Sequence, residues 1–469
     1  MVLLPGPDES AEPPRSIAPS LSALPGDALA ATRLRGVRMS VVGTGYLGAT
    51  HAACMAELGH DVVGIDTDPA KVAALASGTV PFWEPGLDEV LQRGLASGRL
   101  RFSTDPADAQ GSRVHFVCVG TPQRADSPAA DLTQVHGAVE ALLPVLDEGS
   151  LLVGKSTVPV GTAAGIAERV AATGAHVAWN PEFLREGHAV EDTLRPDRLV
   201  FGVRNPDDEA VLRDVYAALL DAGTPVLVTD FATAELVKVA ANAFLATKIS
   251  FINAMAEVCE ATGGDIVTLS AALGMDPRIG PQFLRAGLGF GGGCLPKDIR
   301  AFMARAGELG VDEALMFLRD IDDINIRRRQ HTVDLALEAM GGEASGRRVA
   351  VWGAAFKPDS DDVRDSPALH VAAALHTAGA IVTVHDPRAV DNARRLFPQL
   401  EYADSPLDAA RDADVVLLLT EWADYRDLDP ATITPVVRQA SLIDARNALD
   451  VDRWREAGWT YRALGRPVS

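Results

Sequence analysis

From residue 37 onward, short apolar runs closed by glycine alternate with stretches of helical period. The first unit, RMSVVGTGYLGATHAACMAELG, reads as an apolar strand, a glycine turn and an alanine-rich helix, and a second strand, DVVGID, follows it. RVHFVCVGTP and SLLVGKSTVPVGT continue the alternation. Between Asp230 and Gly263 there is no glycine or proline, and apolar residues recur at helical spacing. That stretch predicts one helix about 45 Å long, a spine between two domains and a surface for self-association. After about residue 345 the strand pattern begins again with RRVAVWGAAFKP, AIVTVHDP and DADVVLLLT.

Gly43, Gly45 and Gly48 form GxGxxG between the first strand and its helix, around Tyr46 and Leu47. The first glycine permits the turn, the second lets the backbone approach a pyrophosphate, and the third allows close helix–strand packing. Asp66 ends the second strand, 23 residues after Gly43, where a carboxylate accepts from ribose hydroxyls and repels a 2′-phosphate. NAD is therefore favoured over NADP. The second repeat, Gly353 to Lys357, lacks these glycines and should bind something other than a dinucleotide, with Lys357 where a phosphate contact would be. The predicted fold is α/β, two Rossmann-like doubly wound domains joined by a long central helix. The boundaries are 1–36 for a tail, 37–230 for an NAD-binding domain, 231–340 for the central helix and helical region, and 341–469 for the second Rossmann-like domain.

Composition narrows the partners. A chain of 469 residues, 47% hydrophobic and 23% charged, has the makings of a globular protein of two or three domains. Its net charge of −21 argues against nucleic acid or an anionic membrane surface, and an anionic substrate would have to be held by a few placed cations. The first 36 residues, rich in Pro, Ser and Ala, read as a disordered tail without the basic and apolar regions of a secretory signal. No apolar run is expected to span a bilayer. A cytoplasmic location follows from these readings.

The candidate chemistry lies in GLGFGGGCLPKD, residues 287–298. Glycines 289, 291, 292 and 293 crowd Cys294, and Pro296 suits the first position of a helix. A helix N-terminus and neighbouring Lys297 would favour a thiolate, with Asp298 adding a carboxylate. This fits a covalent-catalysis site, and equally a structural cysteine in a glycine-rich turn. Cys54, Cys118 and Cys259 read as buried small hydrophobes, and no spacing suggests a metal site. Lys238 and Asn242, four apart on the long helix, share one face, and the surrounding VKVAANAFLA places them in a buried site rather than on a solvated surface.

The chain resembles the UDP-glucose/GDP-mannose dehydrogenase family. The resemblance rests on GTGYLG at 43, VPFWEPGL (80–87), VGTP (119–122), KSTVPVGT (155–162) and NPEFLREG (180–187). It continues through ELVKVAANAFLATKISFINA, RIGPQFLRAGLGFGGGCLPKD, FKPDSDDVRDSP and DARN at 444. It implies oxidation of a primary alcohol, that of UDP-glucose, to a carboxylate in two NAD-linked steps, by a homodimer or larger homo-oligomer built on the central helix. It implies further that Cys294 forms a thiohemiacetal and then a thioester, and that Lys238 and Asn242 stabilise oxyanions. Asp298, through a water, helps remove the alcohol proton, and Glu182 with Thr157 serves thioester hydrolysis. Glu186 belongs nearer the nicotinamide, although for both glutamates a solvated helix face is the alternative. Cofactor contacts add Lys71, Thr121, Thr157, Lys297 and Arg364. Substrate contacts comprise Glu182, Phe183, Leu184, Lys238, Asn242, Phe283, Leu284, Arg285, Phe290, Gly291, Phe356, Lys357 and Arg446, with Arg278 reaching a neighbouring subunit's substrate. Gly293 stands where the family often has serine, and Arg285 where some relatives have lysine. Two other readings stay open: a GDP-mannose or other nucleotide-sugar 6-dehydrogenase, and a catalytically silent NAD-binding regulator, which would be expected to have lost Cys294, Lys238 or Asp298.

Overall fold

The computed structural model describes residues 36–467, so the expected N-terminal tail, Gly36 apart, lies outside the described residues. The first sheet contains β1 (Arg38–Val42), β2 (Asp61–Ile65), β3 (Leu100–Ser103), β4 (Val114–Val117), β5 (Leu151–Gly154), β6 (His176–Trp179), β7 (Leu199–Gly202) and β8 (Val226–Thr229). Their order is β3-β2-β1-β4-β5-β6-β7-β8, and only the β6–β7 pair is antiparallel. β4 and β5 are buried along their whole length, which is why they read as continuous apolar runs rather than alternating ones. The chain reverses its winding between β1 and β4. The carboxyl ends of those strands, where Gly43 and Thr121 follow, form the crevice in which such sheets take ligands.

The second sheet comprises β9 (Arg348–Trp352), β10 (Ile381–His385), β11 (Glu401–Tyr402), β12 (Val415–Leu418), β13 (Ser441–Asp444) and β14 (Thr460–Ala463). Its order, β11-β10-β9-β12-β13-β14, repeats that of the first six strands of the other sheet. Trp352 stacks on Tyr425 at 5.7 Å in its core. Gly353 turns at φ +106, and Asp386 follows β10 as Asp66 follows β2. Asp386 is saturated by its own fold. It accepts from the N–H groups of Ala354 (2.7 Å), Ala355 (3.0 Å), Arg388 (2.9 Å) and Ala389 (2.8 Å), and from Trp422 Nε1 (3.2 Å). A carboxylate with five donors has no acceptor left for a ribose, which agrees with the missing glycines of this repeat.

The central helix spans Phe231–Thr262, 32 residues or about 48 Å. Asp230 caps it by accepting from Thr233 N at 2.8 Å, and Gly263 ends it at φ +77. Its inner face is mostly small residues, among them Ala234, Ala243, Ala246 and Ala256, which lets helices Leu295–Glu308 and Phe317–Ala339 approach closely. One expectation needs correction. By length and composition this helix is long and apolar enough to cross a membrane, and 44% of its most apolar window is buried inside the protein.

Candidate active site

At the first glycine turn, Gly43 adopts φ +87, and a Cβ there would lie 2.6 Å from Val119 Cγ1. A Cβ at Gly48 would lie 1.8 Å from Gly43 O, so the helix start can close on the turn only because both are glycine. Gly45 faces open space, the room a pyrophosphate needs. Asp66 accepts from Thr44 N at 2.8 Å and from Lys71 Nζ at 2.9 Å. Burial alone would raise the pKa of Asp66, but Lys71 and the N–H groups of Asp68 and Thr44 hold it below the usual carboxylate value. The residues present therefore fit NAD: the glycine turn for the pyrophosphate, and Asp66 beside Lys71 for the adenosine ribose. Leu47 packs into the core beneath, and the Tyr46 hydroxyl donates to the carboxylate of Glu84.

Cys294 occupies the N-cap of helix Leu295–Glu308, with Pro296 at the second helical position rather than the first. The approach is tightly built. A Cβ at Gly289 (φ +100) would fall 2.2 Å from Asn325 Oδ1, one at Gly291 2.3 Å from Asp365 O, and one at Gly293 2.3 Å from the Arg364 guanidinium carbon. Gly293 thus leaves its space to the Arg364 guanidinium. Asn242 Nδ2 donates to Asp298 Oδ2 at 2.7 Å, and Lys297 Nζ pairs with Asp298 Oδ1. Lys297 also reaches Thr121 Oγ1 at 3.5 Å, and Thr121 Oγ1 donates to Thr157 O at 2.8 Å. Thr121, Thr157, Lys297 and Asp298 line one cleft of about 420 Å³ together with Val239 and Phe302. Lys238 is half-buried, its Nζ 5.5 Å from the centre of the Phe183 ring.

The expected thiolate is not the resting state. Cys294 is an exposed residue, yet its thiol is surrounded densely enough that desolvation pushes its pKa up. Asp298 adds to the rise, and Lys238 and Lys297 only partly oppose it. The thiol is therefore protonated at neutral pH, and deprotonation must accompany attack. Alkylation of Cys294 by iodoacetamide should accordingly keep climbing as the pH rises above 7, because the thiolate is the nucleophile and the raised pKa keeps it the minor form at neutral pH. A rate already level at pH 7, measured by loss of activity, would show a preformed thiolate. The other three cysteines are buried, and burial raises each thiol, that of Cys118 to about 12.

Residues 180–186 form an irregular loop, so the helix-face alternative for the two glutamates does not apply. Glu182 Oε1 accepts from the N–H groups of Phe183 (2.8 Å) and Leu184 (3.1 Å), and its Oε2 pairs with Lys155 Nζ at 3.1 Å. Glu186 lies against the second domain, accepting from Ser360 Oγ at 3.2 Å and pairing with Arg364 at 3.4 Å. Burial pushes its pKa up to about 7, with Asp362 adding and Arg364 and Lys357 opposing. Lys357 Nζ donates to Glu186 O at 2.6 Å, and burial pulls its pKa down.

The remaining substrate candidates divide. Phe290, Gly291 and Leu284 are buried in the loop ahead of Cys294, and Phe356 packs on Gly292. Phe283 is 39% exposed, with φ +61. Arg446 donates to the carbonyls of Leu419 (2.7 Å), Gly289 (2.9 Å) and Phe356 (3.3 Å), so it clasps the second domain to the cysteine loop, with Arg285 nearby. Arg278 is not in the cleft. Its side chain is 85% exposed and pairs with Asp276.

Several polar groups escaped the sequence reading. Glu84 accepts from Gly187 N and Ala189 N, each at 2.7 Å, joining the Tyr46 turn to the glutamate loop. Asn325 takes both the N–H (2.7 Å) and the carbonyl (3.0 Å) of Phe290, and Arg329 donates to that carbonyl at 3.0 Å. Lys155 is the third, beneath Glu182. Glu84 and Lys155 stand inside VPFWEPGL and KSTVPVGT, runs that were recognised as motifs without a task for those residues.

Comparison with known proteins agrees with this geometry. The UDP-glucose/GDP-mannose dehydrogenase family is matched by its NAD binding domain over residues 37–220, its central domain over 232–327 and its UDP binding domain over 350–451. A UDP-glucose 6-dehydrogenase of Rhizobium meliloti is 41% identical over 92% of this chain and 100% of its own length. A solved UDP-glucose dehydrogenase from Pyrobaculum islandicum superposes with a TM-score of 0.84 at 39% identity, over 92% of this chain and 99% of that one. A UDP-D-ManNAc dehydrogenase from Pyrococcus horikoshii gives 0.81 at 26% identity, over 92% and 99%. Matched by all three domain models of the family and by relatives about 40% identical over 92% of its length, the chain belongs to the UDP-glucose/GDP-mannose dehydrogenase family.

Proposed function

We propose that the protein oxidises UDP-glucose to UDP-glucuronate, transferring four electrons to two molecules of NAD. The observation that carries this reading is Cys294 at the head of a helix, with Lys238, Lys297 and Asp298 acting on its thiol and with Phe356 and Arg364 of the second Rossmann-like domain against Gly292 and Gly293 just ahead of it. The identity of the sugar nucleotide rests on relatives about 40% identical that are UDP-glucose 6-dehydrogenases, against 26% for the UDP-D-ManNAc enzyme. NAD, when bound, accepts the hydride. Gly43, Gly45, Gly48 and Asp66 hold it, while Thr121, Thr157 and Lys297 line the end of its cleft nearest the chemistry.

The chain's own residues carry the proton and covalent steps. Asp298, buried and oriented by Asn242 and Lys297, takes the C6 hydroxyl proton through a water. Cys294 Sγ adds to the aldehyde carbon as its proton passes to solvent water, and the carbonyl oxygen becomes an alkoxide beside Lys238 and Asn242. Loss of the second hydride turns this thiohemiacetal into a thioester. Water, held by Thr157 and giving its proton to Glu182, then attacks the carbonyl, the C–S bond breaks and the thiol is restored. A covalent link also explains how a reactive aldehyde survives cofactor exchange. Steady-state assays with UDP-glucose, UDP-N-acetylmannosamine and GDP-mannose test the assignment: UDP-glucose should give the highest kcat/KM, and a preference for either other sugar nucleotide would overturn it.

In this reading Lys357 and Arg285 receive the diphosphate, and Arg446 ties the loop ahead of Cys294 to the segment that carries Lys357. A charge-assisted phosphate contact contributes about 1.5–3 kcal/mol. Lys357→Ala should therefore raise the KM for UDP-glucose roughly tenfold to a hundredfold. An unchanged KM would remove the second domain from the substrate site. Arg278, out of this chain's own cleft, is assigned to the substrate of a neighbouring subunit.

A homodimer is part of the same reading. Phe244 (66% exposed), Phe251 (48%) and Val258 (51%) recur every seven residues along the central helix and form an uncovered apolar ridge. A second copy is the partner this ridge fits. Phe244→Asp should yield monomer in sedimentation velocity, and an unchanged oligomer would place the interface elsewhere.

A further inference from the structure

The structure assigns to Lys155 the task of a positioning residue that fixes the Glu182 carboxylate for thioester hydrolysis. This inference rests on the proposed role of Glu182. Lys155 follows β5, and Asn180 follows the neighbouring β6, so the parallel pairing puts both at one sheet edge beneath the loop that carries Glu182. The lysine side chain is 4% exposed. Its Nζ donates to Asn180 Oδ1 at 3.0 Å and to Glu182 Oε2 at 3.1 Å. The Asn180 amide cannot turn away. Its oxygen also accepts from Tyr216 Oη at 2.6 Å, and its nitrogen donates to Val200 O at 3.0 Å. The rings of Phe116 and Tyr216 each lie 6.0 Å from Nζ.

A cation enclosed in this way is strongly disfavoured unless paired, and Glu182 is the carboxylate paired with it. Burial pulls the pKa of Lys155 down, but Glu182 and, to a lesser degree, Tyr216 and Cys118 hold it above the ordinary lysine value. With Oε2 fixed by Lys155 and Oε1 by two backbone N–H groups, Glu182 keeps one orientation while its side chain remains 18% exposed. Such preorganisation matters in hydrolysis, where water must be held against the thioester carbonyl, and not in the two oxidations, which use Asp298 and Lys238.

The test compares wild type, Lys155→Met, Glu182→Gln and the double variant, each mixed rapidly with UDP-glucose and excess NAD. NADH is followed by absorbance, and acid-quenched enzyme is weighed by intact-protein mass spectrometry. Lys155→Met should show a full NADH burst, a steady rate lowered by about tenfold or more with KM falling in step so that kcat/KM for UDP-glucose holds, and an accumulating acyl adduct on Cys294. Because Lys155 acts through Glu182, the double variant should be no slower than Glu182→Gln alone. Lys155→Met leaves Glu182 without its cation and could fold poorly. The double variant, free of the unpaired charge, and Tyr216→Phe, which removes only a hydroxyl from Asn180, then carry the test, Tyr216→Phe showing the same adduct at smaller amplitude. Hydrolysis at the wild-type rate in Lys155→Met or, should that fail to fold, no adduct in Tyr216→Phe overturns the assignment. Additive losses in the double variant, or a fall in both oxidations without adduct, do so too. Glu182→Gln hydrolysing normally would instead overturn the role of Glu182 and this inference with it.

Discussion

Cys294→Ala should abolish conversion of UDP-glucose to the sugar acid, with turnover falling on the order of 10³-fold or more, while both substrates still bind. The side chain sits at an N-cap without donating or accepting a capping hydrogen bond, and the residue is exposed, so its removal leaves the helix start intact. Cys294→Ser separates the steps. A hydroxyl can still add to the aldehyde, but the resulting ester hydrolyses more slowly than a thioester, so an ester-linked adduct should appear by intact-protein mass spectrometry. Alanine at Cys54, Cys118 or Cys259 should alter stability alone, since those thiols are buried in packed clusters. Near-normal turnover in Cys294→Ala would leave direct oxidation of a hydrated aldehyde as the better account.

Lys238→Ala should carry the second largest penalty, about 10²–10³ in kcat, the usual loss when one preorganised oxyanion donor is removed from a dry site. Its ammonium lies over Phe183 and acts on the Cys294 thiol, so alanine removes both the alkoxide partner and part of the stabilisation of the thiolate. The iodoacetamide rate at fixed pH should fall together with kcat, whereas KM should change little. If kcat holds within about twofold, the developing oxyanion is met by Asn242 or by the backbone instead.

Features set by local chemistry were legible in the sequence. The central helix begins at Asp230 and ends at Gly263 because a side-chain cap and a left-handed glycine are written into the chain at those points. Both Rossmann-like sheets were legible from strand composition and the glycine turn, and the second repeat's missing glycines match a carboxylate already used by its own backbone. Features set by distant neighbours were not. The direction of the Cys294 pKa depends on how much protein surrounds the thiol, and a helix start with an adjacent lysine pointed the other way. The resemblance gave Arg446 as a substrate contact, but no spacing shows that its guanidinium also reaches three carbonyls from separate segments. Lys155 and Glu182 are 27 residues apart and meet only because β5 and β6 are neighbours.

The most direct test of the central claim is stoichiometric: NADH formed per UDP-glucose consumed, with the enzyme quenched during turnover and the covalent state of Cys294 read from its intact mass. A route through a cysteine-bound aldehyde predicts two NADH per sugar, no free aldehyde and an acyl adduct on Cys294. One NADH per sugar with free aldehyde in solution, or two with Cys294 unmodified throughout turnover, would contradict it.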